Sequence, residues 1–82
     1  EPNFGGAYYN LGYIYGELNN YEQSIYFYNK AVQQNFDLEA TLVNLALQEI
    51  KANKKASACA HLEEAYQLGR TDIKPLMNKY CK

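Results

Sequence analysis

An all-α helical solenoid is the fold this sequence predicts, and three observations predict it. Residues recur at an offset of 34: Asn10/Asn44, Leu11/Leu45, Asn19/Asn53 and Gln33/Gln67 are identities, and Ser24/Ala58, Tyr28/Leu62 and Ala31/Ala65 are matched in kind. A fixed period in this range marks a stack of helical units, each hiding an apolar face on its neighbour. Within each unit the apolar residues recur three and four apart, the period of a helix face. Small residues (Gly12, Ala46, Ser24, Ala31, Ala58, Ala65) stand beside the large Tyr28 and Leu62, the alternation that lets antiparallel helices interlock.

The elements follow in order. From Gly6 to Leu18, the residues Ala7, Tyr8, Leu11, Tyr15 and Leu18 form a stripe, which Asn19-Asn20 interrupts. A second run from Tyr21 to Gln34 carries Ile25, Tyr28 and Val32, and Asn35-Phe36-Asp37 ends it. So short a break between helices predicts an antiparallel hairpin. The plan repeats from Glu39 to Lys51 with Leu42, Leu45, Ala46 and Glu49, turns at Asn53-Lys54, and resumes from Lys55 to Leu68 with Ala58, Leu62 and Ala65. Gly69 stands where a helix ends in the left-handed conformation. A last short helix, Asp72 to Tyr80, tolerates Pro75 near its first turn, with Thr71 or Asp72 expected to cap it. Its Ile73, Leu76, Met77 and Tyr80 share one side, so it reads as a cap sealing the stack.

Composition narrows the function classes. Eight Lys and Arg against nine Asp and Glu leave a net charge of −1, which offers no long-range attraction to nucleic acid or anionic lipid. No apolar stretch approaches the roughly 20 residues that span a bilayer, so membrane insertion is not expected. Nine tyrosines, three phenylalanines and no tryptophan supply rings with polar tips, suited to half-buried seams and binding walls. A chain of this size buries only about 60–65% of its unfolded surface, so each contact between helices counts.

These residues resemble the tetratricopeptide repeat, whose first helix reads Trp-x2-Leu-Gly-x2-Tyr and whose second carries Ala, Phe, Ala and a closing Pro. In residues 5–38, Tyr8, Leu11, Gly12, Tyr15, Ser24, Tyr28 and Ala31 fall on that pattern, with Tyr for Trp and Ser for the first Ala. In residues 39–72, Leu42, Leu45, Ala46, Ala58, Leu62 and Ala65 match, while Glu49 departs from the Tyr and Phe36 and Arg70 from the closing Pro. The resemblance implies unit 1 at 5–38, a degenerate unit 2 at 39–72 and a capping helix at 72–82. Pro2 stands where a preceding unit would close, so residues 1–4 resemble the tail of such a unit and the chain the C-terminal piece of a longer, bacterial-type array.

The same resemblance places the first helices along a concave groove and implies a non-catalytic protein-interaction module. Tyr9, Tyr13 and Gly16 from unit 1 and Val43, Asn44, Leu47 and Ile50 from unit 2 are expected to face a peptide or helix there. The competing reading has these residues covered by a neighbouring unit or the cap. Of the family's carboxylate clamp only Asn44 has a counterpart, Tyr9 and Tyr13 standing in place of Lys and Asn, so chaperone-tail recognition is not expected. The alternative function is self-association into a homodimer through the exposed end at Phe4, Ala7 and Tyr8.

Sharper chemistry finds little footing. Cys59 and Cys81 read either as a disulfide stapling the cap, implying an oxidising compartment such as the periplasm, or as two small buried thiols in a cytoplasmic protein. His61 lies two residues from Cys59 on a helix, so the two side chains diverge and cannot share a metal; it reads as a solvated surface residue. Glu63 and Glu64 diverge likewise, Ser24 and Ser57 have no activating His, and no phosphate loop occurs. No catalytic residue, metal or cofactor is expected. Lys51, Lys54 and Lys55 favour a helix carbonyl end and read as solubilising, with an acidic partner as the other reading.

Overall fold

The computed structural model describes residues 3–82; Pro2, the expected end of a preceding repeat, lies outside them. Four helices stack as two antiparallel pairs: α1 (Gly5–Glu17), α2 (Tyr21–Gln33), α3 (Leu38–Lys51) and α4 (Lys55–Gln67). A 3-10 turn, Thr71–Ile73, leads into the short α5 (Lys74–Tyr80), which lies on α4. Consecutive helices touch along the chain, giving a slab of 38 × 26 × 17 Å.

The turns explain why the helices stop where they do. Asn19 (φ 59°), Asn35 (φ 55°), Asn53 (φ 63°) and Gly69 (φ 111°) all sit left-handed just past a helix end. At each, two backbone bonds close the last turn: Asn19 N–H donates to Gly16 O and Asn20 N–H to Tyr15 O, with Asn53→Ile50 and Lys54→Glu49 repeating the pair. Asn35→Val32 with Phe36→Ala31, and Gly69→Tyr66 with Arg70→Ala65, do the same. Asn and Gly are the residues for which this conformation costs least. The 34-residue period therefore governs the turns as well as the helix faces.

Packing follows the small-on-large plan. Gly12 lies under the ring of Tyr28, so close that a Cβ there would come within 2.8 Å of Tyr28 Cδ1. Ser24, in place of the family's Ala, is fully buried and its Oγ donates to Gly12 O at 2.6 Å. A buried hydroxyl is tolerated because that bond satisfies it. Ile25, Tyr28 and Leu45 form the seam between the pairs; Leu42, Val43, Ala46, Ala58, Leu62, Ala65 and Ile73 form the second core, onto which Leu76, Met77 and Cys81 close. The expected cap on α5 is absent: no side chain caps that helix, because the Asp72 carboxylate is held by the Arg70 guanidinium at 3.0 and 3.1 Å.

Candidate protein-interaction cleft

Helices α1 and α3 flank a cleft of about 310 Å³ whose floor includes Tyr28 of α2. Four of the expected groove residues line it together: Tyr9 and Tyr13 from α1, Asn44 and Leu47 from α3. Asn44 Nδ2 donates to Tyr9 OH at 2.6 Å, tying the walls across 35 residues of sequence. The Tyr9 ring meets Tyr28 edge-on at 5.5 Å and Phe36 at the same distance. Burial pushes the Tyr28 hydroxyl up to about 12, reinforced by Tyr9, Tyr13 and Glu17 beside it.

Three expected groove residues, Val43, Ile50 and Gly16, do not line the cleft. Val43 is buried in the second core with Leu42 and Ala46, and Ile50 packs against that same core. The reason is that α3 lies between α2 and α4, so a wider arc of its surface is covered than the stripe alone predicts. Gly16 is buried as well, and a Cβ there would stand 3.0 Å from Gln48 Nε2. Four lining residues, Glu17, Tyr28, Gln48 and Lys51, were not among those expected. Glu17 and Lys51 are equivalent positions in the repeat, which is the signal that finds them: whatever ends α1 beside the cleft has a counterpart ending α3 there.

On the outer side of the first pair an aromatic row runs across α1 and α2. Phe4 meets Tyr8 edge-on at 6.4 Å, Tyr8 stacks on Phe27 at 6.3 Å, and Phe27 stacks on Tyr15 at 5.6 Å. Phe4 is 50% exposed, as Ile14 and Leu18 also are at 51% and 68%.

At the other end a disulfide joins Cys59 of α4 to Cys81 just past α5. The solvated reading of His61 does not hold: its Nδ1 lies 2.7 Å from Oε1 of Glu49, which is 3% exposed. The bond to Glu49 holds the His61 pKa above its usual value, against the opposing effect of burial. Lys54 pairs loosely with Glu22 at 3.8 Å, both exposed, an arrangement worth little. Among the described residues no three His, Cys, Asp or Glu gather as metal ligands, and no helix is long and apolar enough to cross a membrane.

The family model of the tetratricopeptide repeat matches residues 6–37, which span α1, the Asn19-Asn20 turn, α2 and its left-handed close. Over residues 6–37 the chain is similar to a tetratricopeptide repeat. No curated protein and no solved structure matches the chain. Tetratricopeptide repeats serve as protein-interaction modules and are typically non-catalytic, and the helix-pair stack around this repeat is of the same kind. Here the glycine of the first helix admits the Tyr28 ring, and the same residue lines the cleft.

Proposed function

We propose that the cleft between α1 and α3 binds a peptide segment or an amphipathic helix of a partner protein. The observation that carries this reading is the composition of the cleft: aromatic and aliphatic walls from Tyr9, Tyr13, Tyr28 and Leu47, with hydrogen-bonding groups at fixed positions among them. Tyr9 OH accepts from Asn44, which leaves the Tyr9 hydroxyl proton to donate and the Asn44 carbonyl to accept, as a main chain requires. A second helix pair at 39–72 and a cap at 72–82 complete the scaffold in this reading, and the Cys59–Cys81 disulfide favours an oxidising compartment such as the periplasm.

A peptide selection from a displayed library, followed by calorimetric titration, tests the proposal. Tyr13→Ala and Leu47→Ala should each weaken a selected peptide by about tenfold while the solution mass stays unchanged. Selected peptides that bind both variants as tightly as the parent would remove the cleft from consideration. The exposure of Phe4, Ile14 and Leu18 favours one other reading, self-association through α1. In that case light scattering would show a mass that rises with concentration and falls back on Phe4→Ala or Tyr8→Ala.

A further inference from the structure

The charge and ring placement within the cleft narrow what it accepts. We infer that the cleft takes a basic side chain of the bound peptide, an ammonium or guanidinium lying against the rings of Tyr9 and Tyr13 with Glu17 as its counter-ion. This rests on the cleft being the peptide site.

Three tyrosines and one carboxylate line the space together. The face of an aromatic ring is negative and its edge positive, so rings set at an angle give a cation a face to lie on. The Tyr9 ring is braced edge-to-face by the buried Tyr28 at 71° and 5.5 Å, and Tyr13 adds a ring that is 55% exposed at the entrance. Elsewhere on this surface tyrosines already seat ammonium groups: Lys30 lies 5.6 Å from the Tyr26 ring centre and Lys74 5.2 Å from that of Tyr66. Tyr9 and Tyr13 bring rings of the same kind to the cleft.

Glu17 supplies the charge. Among the described residues Glu17 makes no ion pair, in common with Asp37, Glu39, Glu63 and Glu64, and it is the acidic residue that lines the cleft. Lys51, the other charged residue of the lining, belongs to the opposite wall and makes no ion pair with it. Of the α1 residues that line the cleft, Tyr9, Tyr13 and Glu17, it is Glu17 that carries the charged side chain. The polarity of the site is thus negative on the α1 side and positive on the α3 side. A bound basic group belongs at the α1 wall, with Lys51 excluding a second cation and facing main-chain carbonyls or an acidic neighbour.

The test uses the full chain, isotope-labelled, titrated by amide NMR with three short capped peptides that differ only in a central Lys, norleucine or Glu. The Lys peptide should bind about fivefold tighter than the norleucine peptide, with shifts centred on Tyr9, Tyr13 and Glu17, and the Glu peptide should bind weakest. Glu17→Gln should close the roughly fivefold gap between the Lys and norleucine peptides when both are measured on that variant, and raising salt from about 50 to about 500 mM should close the same gap on the parent. Equal binding of Lys and norleucine peptides, or a Lys preference that survives Glu17→Gln, overturns the inference and leaves the peptide site standing. A Glu peptide that binds tightest overturns it in favour of Lys51. Shifts from none of the three at the cleft overturn both this inference and the site itself.

Discussion

Gly12 and Tyr28 have equivalents in the second helix pair, Ala46 and Leu62, and that exchange supplies a quantitative test of the packing. In the first pair a large ring requires that the facing helix carry no side chain at all; in the second, a smaller Leu leaves room for a methyl. Gly12→Ala would bring a Cβ within 2.8–2.9 Å of three Tyr28 ring atoms, and Tyr28, only 2% exposed, has nowhere to go. Overpacking of this kind costs about 1–3 kcal/mol, offset by the roughly 1 kcal/mol that Ala gains over Gly inside a helix. The net loss should be about 0–2 kcal/mol, or up to roughly 16 °C in Tm for a domain of this size. Tyr28→Leu alone opens a cavity under Gly12 and should cost about 2 kcal/mol. The double variant Gly12→Ala with Tyr28→Leu restores the pairing of the second unit, so its loss should fall short of the sum of the singles by about 1 kcal/mol or more. Urea unfolding followed by circular dichroism measures all three. Strict additivity, or a Gly12→Ala variant more stable than the parent, would refute the argument that the ring dictates the glycine.

Replacing both cysteines by Ser should cost about 3 kcal/mol, the chain-entropy value for the 22-residue separation, and amide exchange should show α5 opening before α1–α4. His61 contributes in a pH-dependent way: because its folded pKa is raised above 6.5, the stability from the Glu49 contact is full below that pH and is lost as pH climbs through the folded value. His61→Gln should flatten that segment of the stability profile in thermal melts, and an unchanged slope would show the pair to be inert. At Asn19 and Asn53, both left-handed, Asn→Ala should lower stability by about 1 kcal/mol while Asn→Gly stays within a few tenths, as denaturant midpoints would report.

The sequence period made most of the helix stack legible because one physical requirement, burial of a helix face on a like face, recurs every 34 residues. Helix ends were legible for the same reason, through Asn19, Asn53 and Gly69. The cleft was only half legible. Tyr9, Tyr13, Asn44 and Leu47 reach it, but Val43 and Ile50 do not, because a stripe rule treats every first helix alike and α3 is covered on more sides than α1. Asp72 was misread as a cap because local sequence gives no hint that Arg70, two residues away, reaches its carboxylate first. Phe36, a departure from the closing Pro, turns out to support the Tyr9 ring and to cover Gly5 and Gly6, a packing role that a backbone-terminating proline could not fill.

Glu49 is the instructive departure from the repeat pattern. Taken alone it is an acidic residue where an aromatic belongs, at a position buried to 3% exposure, and it marks the second unit as degenerate. Its partner changes that reading. Tyr15 and Phe27 of the first unit stack in parallel at 5.6 Å, and the residues 34 further on are Glu49 and His61, in hydrogen-bond contact at 2.7 Å. A stacked pair between the first and second helices has been exchanged for a charge-assisted pair at the same two positions. Either member alone would be costly, a buried carboxylate without a donor or an imidazole facing a ring, whereas both together satisfy each other. The second unit is therefore specialised rather than decayed at this site, and the exchange introduces what two rings cannot provide: a contact between helices whose strength depends on protonation. Single exchanges toward the first unit, Glu49→Tyr or His61→Phe, should accordingly each destabilise the chain more than the two made together.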